Sequence, residues 1–307
     1  WSVVDQLDIT VLGLSPTLVR ALQPHGAVEA RKHDLTRLRI FGSTGEPWNP
    51  DPWVWLFDEV GEGTRPIVNV SGGTEIGACI LSCNILQGLK PTSLGGPSLG
   101  MDADVYSADG IPVRGEVGEL VIRGSWPGMT RGFWKQPDRY IDTYWSQFDE
   151  TWVHGDWAEI DADGFWFLHG RSDDTLNIAG KRIGPAEIES VAVADPSVMM
   201  AAAIGLPDDI KGEGIGLYLV AAPGISPDDG LSGRISDLLA ETLGKSFRPK
   251  SISWVPDLPR TRSAKIMRRV VKAIAVGLDP GDLTSLENPE SLAGLRDAGN
   301  SGGVETT

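Results

Sequence analysis

Along the first third of the chain, short apolar runs alternate with breaks that carry glycine or proline. Asp8-Ile9-Thr10-Val11-Leu12-Gly13-Leu14 reads as a buried strand or loop, and Ser15-Pro16 opens a helix over 17–22, because proline suits a first helical turn. Residues 35–41 feed a short strand that breaks at Gly42-Ser43-Thr44-Gly45-Glu46-Pro47, and 52–60 has helical apolar spacing. Ile67-Val68-Asn69-Val70 is a further buried strand, ending at Ser71-Gly72-Gly73-Thr74-Glu75. This strand–turn–helix rhythm predicts α/β layering. From 95 to 168 the pattern changes to short β runs at 104–106, 118–122, 151–153 and 165–168, which predicts a β-barrel or sandwich. After Arg171 a smaller α+β unit begins. It has an alternating run at 176–178, a turn at Gly180-Lys181, helices at 185–193, 231–243 and 266–276, and strands at 199–204, 215–222 and 252–255.

The expected organisation follows. The C-terminal part of a large domain occupies 1–171, with an α/β piece at about 1–94 and a β-barrel-like piece at about 95–171. A small mobile domain covers 172–276, hinged at 172–174. A polar tail over 277–307, Gly-rich at its end, is expected to be mobile.

Composition narrows the function. A net charge of −15 over 307 residues argues against a nucleic-acid partner, which needs a basic face. No apolar run reaches the ~20 residues that span a bilayer, and the start does not resemble a secretion signal. A cytoplasmic location is expected, with Cys79 and Cys83 as reduced, buried thiols.

Against that acidic background two loops are cationic and carry glycine or small residues: Gly170-Arg171-Ser172-Asp173-Asp174 through Gly180-Lys181-Arg182, and Pro259-Arg260-Thr261-Arg262-Ser263-Ala264-Lys265-Ile266-Met267-Arg268-Arg269. They suggest a polyanionic ligand such as a nucleotide. Gly42 to Pro47 either lets backbone approach a flat ligand or is an ordinary strand-to-helix turn. Ser71 to Glu75 either brings backbone amides, a hydroxyl and a carboxylate to an anion and its cation, or is a capped turn. Asp156 in His154-Gly155-Asp156-Trp157 either grips a pair of ribose hydroxyls or caps a turn. Arg171, Arg182 and Lys265 are each open to the same two readings, ligand contact or solvated surface charge.

The order of these segments along one chain resembles the C-terminal half of an adenylate-forming (AMP-binding) acyl-CoA synthetase of the acetyl-CoA synthetase-like branch. The resemblance rests on Gly45-Glu46-Pro47, Gly72-Gly73-Thr74-Glu75, Trp126-Pro127-Gly128-Met129-Thr130-Arg131-Gly132, His154-Gly155-Asp156, the run from Gly170 to Glu189, and Pro259 to Arg269. It implies ATP, Mg²⁺ and CoA as co-substrates and a carboxylic acid as substrate. The acid is first adenylated; the small domain then rotates, and the CoA thiol displaces AMP. By the same resemblance Gly45, Glu46 and Pro47 line the adenine, with Asn69, Val70, Ser71, Gly72 and Gly73 beside it. Thr74 touches the α-phosphate and Glu75 helps hold Mg²⁺. Asp156 takes the ribose hydroxyls, Arg171 the ribose–phosphate region and Arg182 the phosphates. Asp173 is the hinge, Ala179 and Gly180 pass the CoA arm, and Lys265 neutralises charge during adenylation. Enzymes that acylate or deacylate Lys265 are further implied partners.

Departures from the family pattern sharpen the expectation. Acetyl-specific relatives carry a tryptophan where this chain has Gly72, so a deeper acyl pocket and an acid larger than acetate are expected. Ala264 stands where glycine is frequent, which stiffens the loop, and Ala179 stands where serine is frequent. No phosphate loop precedes residue 38, so the chain is expected to be about half of a full-length enzyme, inactive alone, with an apolar face left uncovered. Two alternatives stay open: an adenylation domain that loads a carrier protein, and a non-catalytic nucleotide-binding remnant.

Overall fold

The computed structural model describes residues 1–84, 86–208, 212–262, 264–300 and 304–305. The chain divides into two compact units, Trp1–Asp173 and Asp174–Thr307.

In the first unit, α1 (Ser2–Gln6) leads to β1 (Val11–Leu14) and α2 (Pro16–Leu22), whose Ser15 cap accepts a hydrogen bond from the Leu18 amide. Then come β2 (Ile40–Ser43), α3 (Pro50–Trp55) continuing into a π-helical turn at Leu56–Val60, and β3 (Ile67–Gly73). β1, β2 and β3 are parallel, and Phe41, Leu56, Ile67 and Val19 close the core beneath them. This is the expected α/β rhythm, with β2 starting later and β3 running three residues further than the apolar runs indicate. β3 turns back antiparallel into β4 (Ala78–Ser82), and β5 (Gly96–Pro97) pairs with β4 at the edge.

The expected β-barrel is instead an open sheet. β6 (Ala103–Tyr106), β7 (Gly118–Arg123), β8 (Thr151–Ile160) and β9 (Trp166–Arg171) form a four-stranded antiparallel meander without closure. Its apolar face is covered by Ile76, Ile80 and Leu81 around the β3–β4 turn, so the sheet has a core without curling on itself. A helix absent from the sequence reading, α4 (Pro137–Tyr144), interrupts the β runs; its Tyr144 stacks on Trp152 at 3.9 Å. Cys83 is buried, and burial raises its thiol pKa; Cys79 is only half-buried, a correction to the expectation for both.

In the second unit, β10 (Leu176–Ile178) and β11 (Lys181–Ile183) form a hairpin, followed by α5 (Pro185–Ala192), β12 (Val198–Asp208) and β13 (Gly212–Ala221). α6 (Asp229–Leu243) and β14 (Ser251–Trp254) complete the centre. β13 lies antiparallel to β12 and parallel to β14. Alternation along β12 sends Ala201 and Ala203 to one core with Ile188, Ile235 and Leu239, and Met200, Ala202 and Ile204 to another. That second core is closed by α7 (Arg268–Ala275) and α8 (Ser291–Asn300) through Val271 and Leu295. The polar-tail expectation therefore fails for 277–300, where Leu292 and Leu295 are buried. The Gly-rich end at 301–303 and residues 306–307 lie outside the described residues. No helix among the described residues is long and apolar enough to cross a membrane.

Candidate active site

The first unit's candidate residues lie at the ends of β2 and β3, in the middle of β8 and at the end of β9. Parallel pairing sets Ser43 opposite Asn69, so the turn after β2 leaves the sheet beside the last residues of β3. Gly45 has φ +109°, a conformation that favours glycine. The Glu46 carboxylate is engaged on the α2 side. It accepts hydrogen bonds from the Thr17 amide at 2.7 Å, from the Thr17 hydroxyl, and from Arg20 Nη2 at 3.0 Å, tying the turn to α2. Asn69 is buried and donates to the Thr92 carbonyl at 3.4 Å, and Val70 and Ser71 are half-buried.

The β3–β4 turn is built by backbone approach. A Cβ on Gly72 would meet the Ala78 carbonyl oxygen at 2.3 Å and Cys79 Cα at 3.0 Å, where the ladder bulges. The Gly72 hydrogen thus points at β4, which gives this glycine a structural reason independent of any acyl pocket. A Cβ on Gly73 would meet Glu75 Oε1 at 2.3 Å, so the Glu75 carboxylate lies folded back over Gly73. Thr74 is exposed at the tip. Gly77, at φ +62°, presses on the Gly128 carbonyl, and Trp126 Nε1 donates to the Ile76 carbonyl at 2.7 Å. The Trp126-to-Gly132 segment, which had no assigned role, is the buttress of this turn.

Behind the turn runs a chain of ionisable groups. His154 is buried, with Nδ1 at 3.9 Å from Glu75 Oε1 and Nε2 at 3.7 Å from Asp156 Oδ2. β8–β9 register sets Asp156 opposite Arg171, whose Nη1 is 3.5 Å from Asp156 Oδ1. Arg171 also donates to the His154 carbonyl at 3.1 Å and grips Asp173 through two bonds, at 2.9 and 2.6 Å. Gly155, at φ +81°, makes room for that guanidinium, since a Cβ there would lie 2.7 Å from Arg171 Nη2.

Three members of this array had no role of their own in the sequence reading. His154 was visible only as part of the His-Gly-Asp string. Tyr144 lies by the same groups, and its hydroxyl pKa is raised by burial and next by the Glu75 charge. Glu119 on β7 is buried, accepts from the Gly155 amide at 3.1 Å and from Ser172 Oγ at 2.9 Å, and is pushed up to about 7, chiefly by burial.

In the second unit, Ala179 and Gly180 form the two-residue turn of the β10–β11 hairpin, with φ +50° and +78°. Such a turn asks for two left-handed residues, and alanine meets that demand under strain. Arg182 is exposed on β11. Lys265 is exposed on a tight loop in which its carbonyl accepts from the Thr261 amide at 2.9 Å and its amide donates to Thr261 Oγ1 at 3.2 Å. Ala264 holds φ +64°. Just beyond, Arg268 makes a bidentate pair with Glu189, with Nε to Oε1 at 2.7 Å.

Among the described residues no group of three or more His, Cys, Asp or Glu side chains gathers as a metal site. Glu75 alone still suits Mg²⁺, which takes one or two protein carboxylates and completes its shell with water and substrate phosphates.

Residues 1–134 match the model of the AMP-binding enzyme family, and residues 187–265 match that of the AMP-binding enzyme C-terminal domain. The chain is 38% identical over 302 residues to the acetyl-coenzyme A synthetase of Rubrobacter xylanophilus, covering 97% of this chain and 47% of that protein. It is 41% identical over 301 residues to the acetyl-coenzyme A synthetase of a Marinomonas species, covering 95% and 46%. Among solved structures, the acetoacetyl-CoA synthetase of Streptomyces lividans superposes with a TM-score of 0.84 at 31% identity, over 98% of this chain and 47% of that one. An anthranilate CoA ligase in complex with anthranoyl-AMP gives 0.75 at 26% identity, over 90% and 52%. The chain thus spans about half the length of its relatives and carries both of the family's matched segments. It belongs to the AMP-binding enzyme family.

Proposed function

We propose that the protein is an AMP-forming acyl-CoA synthetase. A carboxylate oxygen attacks the α-phosphorus of ATP and the bond to pyrophosphate breaks, giving acyl-AMP. The CoA sulfur then attacks the acyl carbon, and AMP leaves as the thioester forms. The observation that carries this reading is the array Glu75, His154, Asp156, Arg171 and Asp173 beside a glycine turn, within a family fold. Asp156, buried and held by Arg171, presents a fixed carboxylate of the kind that grips paired ribose hydroxyls. The turn at Thr74 supplies a hydroxyl and backbone amides for the α-phosphate. Glu75 and the substrate phosphates would hold Mg²⁺, which would supply charge neutralisation there. Adenylyl transfer needs this positioning and charge more than proton transfer.

Lys265 on its exposed loop is assigned to adenylation, and Asp173 to the hinge. Arg182 is assigned to the phosphates, and the Ala179–Gly180 turn to the CoA arm. As an exposed amine, Lys265 is also open to acylating enzymes. CoA is favoured over a carrier protein by the curated relatives, which are acetyl-coenzyme A synthetases.

The acid is proposed to be larger than acetate. Gly72 supplies no ring where acetyl-specific members carry tryptophan. The acetoacetyl-CoA synthetase neighbour acts on a four-carbon acid. A panel of acetate, propionate, butyrate and acetoacetate, assayed for CoA-dependent AMP release by the full-length protein, tests both points. Highest kcat/KM on a three- or four-carbon acid is expected, and highest kcat/KM on acetate would refute the size assignment. Lys265→Ala is expected to abolish ATP–pyrophosphate exchange and to spare thioester formation from supplied acyl-adenylate. Loss of both half-reactions would sink the lysine assignment.

A further inference from the structure

The segment that follows α7 reads as polar tail, yet it grips both ends of the Lys265 loop. At its centre stands Asn288, only 4% exposed. All of its amide is engaged: Oδ1 accepts from the Arg260 amide at 2.9 Å, and Nδ2 donates to Asp257 Oδ2 at 2.8 Å and to the Leu258 carbonyl at 2.9 Å. These partners are the residues that enter the loop.

Neighbouring bonds continue the grip. The Glu287 amide donates to the Arg260 carbonyl at 2.9 Å, Leu286 pairs with Thr261, and Arg262 Nε lies 3.5 Å from Glu287 Oε2. On the exit side, Arg269 donates through Nη2 to the Asp282 carbonyl at 2.6 Å and through Nη1 to the Pro280 carbonyl. The segment is itself anchored. Ser291 Oγ donates to the Asn288 carbonyl at 2.7 Å, and Leu292 and Leu295 of α8 are buried, Leu295 beside Leu258 and Val271.

A buried amide with every polar group satisfied by the one segment that enters a loop fixes backbone conformation far more than it adds net stability. Each of its bonds contributes about 1 kcal/mol, but an orphaned partner is costly. Lys265 has no described side-chain bond of its own that would set where its amine points. Its direction is therefore set by the loop backbone, and the loop backbone is set from 280–288.

We propose that Asn288 is a positioning residue for Lys265, and that the 280–288 strap presets the lysine loop for the adenylation half-reaction. This rests on the adenylation role assigned to Lys265 above. The test uses the full-length protein with Asn288→Ala and Asn288→Asp, the latter keeping the acceptor to Arg260 while losing both donors. Three readouts are compared: ATP–pyrophosphate exchange, thioester formation from supplied acyl-adenylate, and hydrogen exchange of peptides covering 257–266 and 229–243.

The expected result in each variant is a tenfold or larger loss of pyrophosphate exchange, with thioester formation within twofold. Amide exchange should accelerate in 257–266 but not in α6. Unchanged pyrophosphate exchange, or equal loss of both half-reactions in the folded variants, would overturn the proposal. Lys265→Ala serves as the control that separates the two ideas. If that variant keeps pyrophosphate exchange, the adenylation role of Lys265 fails, while the hydrogen exchange of 257–266 still reports whether Asn288 holds the loop.

Discussion

The turn carrying Thr74 and Glu75 and the loop carrying Lys265 are fixed by opposite means. In the first unit, backbone lies against backbone: Gly72 on Ala78, and Gly77 on Gly128, with Trp126 bonded to the Ile76 carbonyl. In the second, the Asn288 side chain reaches in, the Arg269 side chain reaches out to the Pro280 and Asp282 carbonyls, and a backbone bond joins Glu287 to Arg260, around a loop whose own alanine sits in the left-handed region. Backbone contact leaves no slack, because removing a side chain is the only way to bring two chains that close. Side-chain bracing can be adjusted one bond at a time. A turn proposed to hold phosphates in one geometry suits the first arrangement, and a lysine proposed to serve one half-reaction suits the second.

The largest effect on this contrast is expected from Gly72→Ala. The new Cβ would sit 2.3 Å from the Ala78 carbonyl, so β4 must shift or unpair. The cost is expected at or above the ~3 kcal/mol upper end of ordinary overpacking. Thermal unfolding of the full-length variant should show a Tm lower by several degrees, with loss of both half-reactions. A variant with unchanged Tm would mean the ladder is pliable there, and the contrast would dissolve.

Legibility in the sequence follows the same division. The glycine turns were readable because backbone approach demands particular residues at short spacing, whereas Asp156 and Arg171 stood out only singly and their pairing needed the β8–β9 register. Helices opened by Ser15-Pro16 and by Pro185 were readable for a similar reason, a local capping rule. The four-stranded sheet could be read as strands but not as an open sheet, since closure depends on register between strands, which composition does not carry. α4 was hidden because its buried face is Tyr140 and its partly buried one Tyr144, aromatic residues set among β runs that share the same preference. Asn288 was the least visible. A polar residue before a proline reads as turn, and only the three-dimensional placement of Asp257, Leu258 and Arg260 turns it into a brace.

An intermediate effect is expected from Glu119→Gln, which probes the backbone-built side of the contrast. Glu119 titrates near 7 in the folded protein against a reference of 4.5, so the native state holds its proton more firmly than the unfolded chain does. Its contribution to stability is therefore complete below about pH 4.5 and is lost as pH rises through about 7. Gln keeps an acceptor for Ser172 Oγ and the Gly155 amide without the buried charge. The stability difference, variant minus parent, should be positive at pH 8, no more than about 3 kcal/mol, and should shrink towards zero by pH 5. Taking the difference cancels the other carboxylates, including Asp161 and Asp195, whose pKa values are lowered by Lys90 and Arg234. Denaturant unfolding at several pH values checks this. A difference that is constant with pH would mean Glu119 is not a buried titrating group.

The smallest effect, and the most discriminating one, is expected from Ala264→Gly. Here the change runs opposite to Gly72→Ala: a Cβ is taken away where φ is +64°. Relief of left-handed strain is about 1–2 kcal/mol, and the greater freedom of glycine in the unfolded chain returns about 0.4–1 kcal/mol of it. The net gain should be about 0.5–1 kcal/mol, visible as a Tm rise of about 2–4 °C in the second unit's transition. If the strap is what presets the lysine, pyrophosphate exchange should stay within twofold, because Asn288 and Arg269 still hold the loop ends. A tenfold loss of exchange with unchanged Tm would move the control of Lys265 from the strap to the stiffness of Ala264 itself, and the two loops would then be fixed by backbone alike.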